Sequence, residues 1–285
     1  MPESLRDYLE FAVETAYQAG RMTLAYYQTG VHADTKPDGS PVTVADRRTE
    51  EFIRSRLERR YPLHAIAGEE HGRTGSSGAT HCWYIDPIDG TLGFVQGTPF
   101  YSVLIGLEIE GQTQVGAAYF PALDEMVAGA SGEGCWWNGR RAHVSEVATL
   151  EQAVGVFTAE SLHLFAGEVK EFQHRGYAEQ LQRVIQATRF CAGWGFAYGQ
   201  ILVATGRAEL ALEPYMDPWD RAPFVPILQE AGGYCGDWFG NRTIHSREGL
   251  ATTNLLLPQI LPLLQNGTGT GSVRYSIPPR RDGSE

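Results

Sequence analysis

The sequence predicts an α+β first half followed by an α/β second half, and three observations carry that reading. Short apolar runs punctuated by turn residues crowd residues 83–139, as antiparallel hairpins require. Beyond about residue 148, strand-like and helix-like patterns alternate instead. A chain of 285 residues with 42% hydrophobic and 20% charged side chains is long enough for two medium units with ordinary cores. The expected division is 1–147 and 148–265, with the glycine-rich stretch 266–285 as an extended tail.

The elements follow in order. Leu5, Leu9, Ala12, Val13 and Ala16 recur at helical spacing, so the chain opens with an amphipathic helix. Lys36–Pro41 is dense in turn formers and reads as a loop or tight hairpin. Ala45–Arg60 is a second helix with Phe52, Ile53 and Leu57 inward, and Asp46 stands near its start, where a carboxylate caps free N–H groups. Trp83–Ile85 is a short strand that stops at Asp86. Tyr101–Ile109, Val115–Tyr119 and Glu125–Ala130 are further strands, and Asn138-Gly139 is a hairpin turn. In the second half, Ala153–Thr158, Thr188–Phe190 and Glu209–Leu212 read as strands. Gln180–Gln186 and Ala197–Thr205 read as helices, and one more helix is expected from Asp220 to Ala231.

Composition excludes several classes. With 34 acidic against 23 basic residues the formal charge is −11, and no Lys/Arg run offers a nucleic-acid or anionic-membrane surface. The eight histidines show no zinc spacing. Cys82, Cys135, Cys191 and Cys235 lie far apart without a C-x-x-C, the pattern of buried free thiols in a reducing compartment. No basic-then-apolar leader and no apolar run of roughly 18 residues is present, so a soluble cytoplasmic protein is expected.

The chemistry gathers in four short segments: Lys36-x-Asp-Gly-Ser-Pro-Val-Thr43 with Asp46, Gly68-Glu-Glu70, Asp86-Pro-Ile-Asp-Gly-Thr91, and Trp219-Asp220-x-Ala222 followed by Glu230-Ala-Gly-Gly233. Taken singly, Asp46 and Asp220 could be helix caps, Glu69 and Glu70 a solvated pair, and Asp86–Asp89 a turn with its own side-chain bond. The Asp86–Thr91 segment resists that reading. Two carboxylates three residues apart in a turn can share a divalent cation, with the Ile88 carbonyl beside them. Gly90 admits close approach of an anion, and the N–H groups of Gly90 and Thr91 open the next helix, where phosphate binds readily.

In this order and spacing, the segments resemble the inositol monophosphatase family of Mg²⁺-dependent sugar and polyol phosphatases, from about residue 5 to 262. The resemblance implies an alternating α-β-α-β-α sandwich and a homodimer. It assigns Glu69, Asp86 and the Ile88 carbonyl to one metal, Asp86, Asp89 and Asp220 to a second, and Glu69 to a third, weaker ion. Thr91 and Asp46 match the pair that orients and activates the attacking water, with Glu69 beside them. Gly90 and Thr91 would receive the phosphate. Within the family the chain looks most like the histidinol-phosphate phosphatase branch, through Gly134-Cys-Trp-Trp-Asn-Gly139 and the stretch from Gly199 to Glu213. Gly193, Trp194 and Glu213 match substrate-contacting positions, together with Asp89 and Asp220. Two departures, Leu92-Gly93 and Pro223, leave the metal chemistry intact but blur the substrate.

Charge arithmetic supports cations without the resemblance. Asp46, Glu69, Asp86, Asp89 and Asp220 place five carboxylates in one expected pocket. Each like pair at about 4 Å costs roughly 4 kcal/mol at an effective dielectric of about 20. Hard oxygen ligands select Mg²⁺, with Mn²⁺ as substitute and Ca²⁺ as inhibitor. The resemblance implies a small phosphate monoester as substrate: histidinol phosphate first, inositol monophosphate second, nucleotide or sugar phosphates after them. A glycosidase would use two carboxylates without metal, and Asp86 and Asp89 stand too close in sequence for that. Gly193-x-Gly195-x-x-x-Gly199 misses the dinucleotide-binding pattern.

Overall fold

The computed structural model describes residues 3–37, 39–157, 177–194 and 196–265. The expected tail at 266–285, and Gly195 of the Gly193–Gly195 segment, lie outside them.

Helix α1 (Leu5–Thr23) starts at a capping box in which Ser4 and Asp7 bond each other's backbone N–H. Strands β1 (Ala33–Thr35) and β2 (Pro41–Thr43) form a two-stranded hairpin around the Lys36–Ser40 turn. Helix α2 (Val44–Arg60) follows directly; Ile53 and Leu57 are buried, whereas Phe52 is only half-buried.

An eight-stranded sheet comes next. It comprises β3 (Ala65–Gly68), β4 (Gly72–Thr74), β5 (His81–Asp89), β6 (Ser102–Ile109), β7 (Gln112–Phe120), β8 (Glu125–Ala130), β9 (Gly134–Trp137) and β10 (Arg140–Arg141), in the order β10-β9-β8-β7-β6-β5-β3-β4. Positive φ at Asn138 (44°) and Gly139 (76°) closes the expected tight hairpin. Strand β5 does not stop at Asp86; it runs on to Asp89 with its register against β6 shifted between them. Pro87 has no N–H to give the ladder, so the strand bulges there and resumes at the Asp89–Ser102 pair.

The second sheet, β12-β11-β13-β15-β14, consists of β11 (Val154–Phe157), β12 (Phe190–Ala192), β13 (Leu210–Glu213), β14 (Gly233–Gly236) and β15 (Gly249–Thr253). β11 is parallel to β12 and β13, while β15 runs antiparallel to its neighbours. Among the described residues the remaining α-helices are α3 (Thr91–Gln96), α4 (Tyr177–Ala187), α5 (Phe196–Ala204), α6 (Pro218–Arg221), α7 (Phe224–Glu230) and α8 (Leu257–Gln265). The single helix expected from Asp220 to Ala231 is therefore two. The break falls at Ala222-Pro223, where the proline ring cannot sit inside a continuous helix without losing a bond.

Side chains that alternate along the strands sort into layers. Trp83, Ile85, Val103, Ile105, Val115 and Ala117 pack against Leu9, Ala12, Ile53 and Leu57 of α1 and α2. Tyr84, Leu104, Ala118, Phe120 and Val127 point the other way, onto α5 and α7 through Ile201, Phe224 and Ile227. The second sheet covers those helices and presents Leu210, Leu212 and Leu250 to α4 and α8. The result is the expected α-β-α-β-α sandwich. All four cysteines are free; Cys191 is half-buried rather than buried. Among the described residues no helix is long and apolar enough to cross a membrane.

Candidate active site

The chain folds so that three carboxylates from two different layers face one another. One oxygen each from Asp86, Asp89 and Asp220 lies within 4.8 Å of the others, with Asp86 and Asp89 buried and Asp220 partly so. These three carboxylates would hold a divalent cation such as Mg²⁺, which prefers hard oxygen ligands. Burial, then the neighbouring Glu69, Asp89 and Asp220 carboxylates, push Asp86 well above the usual carboxylate range. Burial and the Asp217, Asp89 and Glu69 charges do the same to Asp220. Three acids that cannot all ionise unaided are the donor set that a divalent cation fits.

Each carboxylate is aimed by a bond from a backbone N–H. Asp86 Oδ1 accepts the Ile88 N–H at 2.9 Å, which folds the bulge over the carboxylate. Asp89 Oδ2 accepts the Ala197 N–H at 3.0 Å and faces Ser102 Oγ at 3.4 Å. Asp220 Oδ2 accepts the Asp217 N–H at 2.8 Å as the reciprocal partner of a capping box. Asp46 has the same double duty: its Oδ2 accepts the Thr43 N–H at 2.8 Å and the Thr43 hydroxyl at 2.6 Å. Asp46 Oδ1 lies 2.9 Å from Thr91 Oγ1. Asp46 and Asp220 are thus capping residues of their helices, and each also faces the candidate site, Asp46 beside Thr91 and Asp220 beside Asp86 and Asp89.

Asp220 reaches the first sheet because two glycines let its helix come close. A Cβ at Gly106 would lie 2.7 Å from Ala222 Cβ, and one at Gly116 only 1.9 Å from the Pro223 carbonyl oxygen. Ala222 and Pro223, which break the helix, thus rest directly on the sheet backbone.

Thr91 Oγ1 stands 3.1 Å from the Ile88 carbonyl as well as 2.9 Å from Asp46. It has one proton for two acceptors. Burial raises the Asp46 carboxyl above its ordinary value, opposed by the bonds it accepts from Thr43 and Thr91. Gly90, with φ at 83°, adopts the left-handed conformation that lets the chain turn from β5 into α3.

Glu69 stands apart from the triad. Its charge is among the causes that raise Asp86, and its Oε1 is 2.7 Å from Lys36 Nζ. Lys36 also lies 2.7 Å from Glu70 Oε1. Burial pulls the Lys36 ammonium down, but the two carboxylates outweigh it and hold it above its usual range. Burial and the Glu69 charge push Glu70 up to about 7 against the pull of Lys36. Lys36 lay in the first motif without a role; its position opposite two acids depends on the hairpin fold.

Glu213 is buried at the end of β13 and lines a small pocket with Asp89, Ala197, Tyr215, Met216 and Asp220. Gly193 and Trp194 do not line it. They precede α5 on an exposed segment, and Ala197, further on, meets the site through its N–H. Ser102, Ala197 and Tyr215 were not legible as site residues, because a serine, a backbone amide and a tyrosine carry no motif of their own.

This fold and this acidic cluster define a class, phosphatases of the inositol monophosphatase type. The chain belongs to the inositol monophosphatase family, whose family model matches residues 4–268, and it is a phosphoric monoester hydrolase. A histidinol-phosphatase of Chlorobaculum parvum is 40% identical over 247 residues, covering 86% of this chain and 92% of that protein. Inositol monophosphatase 3 of Solanum lycopersicum is 32% identical over 257 residues, covering 88% and 93%. The structure of the extragenic suppressor protein SuhB from Bartonella henselae superposes with a TM-score of 0.81 at 27% identity, covering 92% of this chain and 99% of that one.

Proposed function

We propose that this chain is a Mg²⁺-dependent histidinol-phosphate phosphatase that yields histidinol and inorganic phosphate. The observation that carries the reading is the buried Asp86–Asp89–Asp220 cluster beside the Asp46–Thr91 pair, with Glu213 in the adjoining pocket. Asp86, Asp89, Asp220, the Ile88 carbonyl and Glu69 would hold two or three Mg²⁺, or Mn²⁺ in its place, which supply positive charge to the phosphate and acidify the attacking water.

The chain's own residues do the rest. Asp46 accepts the Thr91 hydroxyl proton, which turns the threonine oxygen into an acceptor for a water proton. With Glu69 beside it, that water is aligned for in-line attack on phosphorus. A phosphorus–oxygen bond forms as the ester P–O bond breaks, and the departing alkoxide takes a proton to become the alcohol. The N–H groups of Gly90 and Thr91 receive phosphate oxygens. Glu213 pairs with the ammonium of histidinol, while Asp89 and Asp220 border the same pocket. Trp194 and Gly193 take part only if their segment moves toward the pocket on binding. By analogy with the family the enzyme works in the cytoplasm as a homodimer.

Histidinol phosphate leads because the 40%-identical relative is a histidinol-phosphatase. Inositol monophosphate is the second reading, favoured by the tomato inositol monophosphatase. The test is kcat/KM with Mg²⁺ for histidinol phosphate, inositol 1-phosphate and 3′-phosphoadenosine 5′-phosphate in parallel. The expected result is a preference for histidinol phosphate. A tenfold or greater preference for inositol phosphate would overturn the substrate, and activity unaffected by EDTA would overturn the metal.

A further inference from the structure

One buried acid near the site has no part in the chemistry above. Glu50 is 0% exposed on α2, one helical turn after Asp46. Its Oε2 accepts the Glu70 backbone N–H at 2.7 Å, and its Oε1 accepts the His71 N–H at 3.1 Å. Oε1 also takes the Arg54 Nε–H at 2.6 Å. Arg54 donates in turn to Thr74 Oγ1 at 3.0 Å and, through its other terminal nitrogen, to the Gly72 carbonyl. Glu50 and Arg54 thus grip the turn between β3 and β4 from both ends, and that turn carries Glu69.

The close approach is specified. A Cβ at Gly68 would lie 2.2 Å from Glu50 Oε1 and 2.9 Å from Arg54 Nη2, so any larger residue would push the pair off the turn. Stability alone does not call for charges here. Desolvating two ions costs several kcal/mol each, and a packed apolar pair of similar volume commonly stabilises a fold as well or better. A carboxylate offers two acceptor oxygens, one for each of the two backbone N–H groups.

We propose that Glu50 is a positioning residue for Glu69, and that by fixing the 70 and 71 amides it aims the Glu69 carboxylate at Asp86 and thereby sets the divalent-cation affinity of the site. The Glu69 N–H, bonded to the Ile85 carbonyl at 3.2 Å, supplies the other fixed point of the turn. One face of α2 then serves both parts of the chemistry, Asp46 holding Thr91 and Glu50 holding the Glu69 turn. This inference rests on the metal reading given above.

The experiment is calorimetric titration of Mn²⁺ into the full-length wild-type chain, Glu50→Gln, and the double variant Glu50→Gln/Arg54→Gln. Glutamine keeps the shape but turns an NH₂ toward one of the two amides. The double variant removes the counter-charge that the single one would strand. Loss of a partner that orients a metal ligand weakens binding by about 10- to 100-fold, the result expected in protein of wild-type circular dichroism. At saturating Mn²⁺ kcat should fall by much less than affinity does. Glu125→Gln/Arg207→Gln, which removes an ion pair that none of the site acids joins, should lower Tm and leave Mn²⁺ affinity unchanged. Wild-type affinity in either folded Glu50 variant would overturn the inference and leave the metal reading standing. Failure of both variants to fold would make Glu50 a structural residue and also overturn it. Absence of Mn²⁺ binding by the wild-type chain would overturn both readings together.

Discussion

The two sheets contribute to the site in different ways. The eight-stranded sheet delivers Asp86, Ile88, Asp89, Gly90 and Thr91 from one contiguous segment, whose bulge and left-handed glycine are local features. The five-stranded half delivers Glu213 from a strand end, and the helix leaving that half delivers Asp220; both arrive only because the layers dock. Ligand geometry on the first side is nearly covalent, whereas on the second it depends on how closely α6 and α7 rest on β6 and β7. The difference teaches that one part of the site is set by a single turn, while Asp220 and Glu213 are set by an interface between layers.

The strongest way to break that contrast is Asp89→Asn, since Asp89 belongs to the contiguous segment yet is held by the Ala197 N–H of the second half. Turnover should fall below detection with the circular dichroism spectrum unchanged; full activity would remove Asp89 from the metal site. Thr91→Val should lower kcat by about 10²- to 10⁴-fold while leaving Mn²⁺ affinity near wild type, because it removes the proton relay and no metal ligand. A parallel loss of metal binding would show that the two functions of the segment are not distinct.

The second side is probed by Glu213→Gln. KM for histidinol phosphate should rise about tenfold, the worth of one charge-assisted bond, with little change for an uncharged leaving group such as that of glycerol phosphate. Equal effects on both substrates would give Glu213 a structural task. Gly116→Ala tests the docking itself. Forcing a methyl against the Pro223 carbonyl should cost about 1–3 kcal/mol in chemical denaturation and weaken Mn²⁺ binding by displacing Asp220.

The smallest effect is a pH trend. Asp86 and Asp220 have folded-state values raised above the unfolded carboxylate range, so in metal-free protein their contribution to stability is complete below about pH 4 and is lost as pH rises through the raised values. Mg²⁺ removes that penalty. The Tm gain on adding Mg²⁺ should therefore be larger at pH 8 than at pH 5.5, and the opposite trend in differential scanning fluorimetry would contradict the assigned charge state.

Legibility followed the same division. The apolar runs at Tyr101–Ile109 and Glu125–Ala130, the Asn138-Gly139 turn and the helical spacing from Leu5 are short-range patterns, and each appears as an element. The bulge at Pro87 and the break at Pro223 were less visible. Their form depends on which strand or sheet lies opposite. Among site residues, the acids announced themselves by motif, whereas Lys36 gained its partners only when the β1–β2 hairpin brought it to the turn after β3. Trp194 matches a substrate-contacting position by resemblance but does not line the pocket beside Asp89 and Glu213.

The sequence by itself determined the layered fold class, the family and the acids of the Asp86–Thr91 segment, since covalent spacing within a turn fixes which side chains can meet. Only the tertiary structure decided that Asp220 joins them across two glycines, that Glu213 is buried beside them, and that Glu50 rather than solvent holds the turn carrying Glu69. Those contacts join residues far apart in the chain, and the distances between them are set by how closely backbones in different layers can approach.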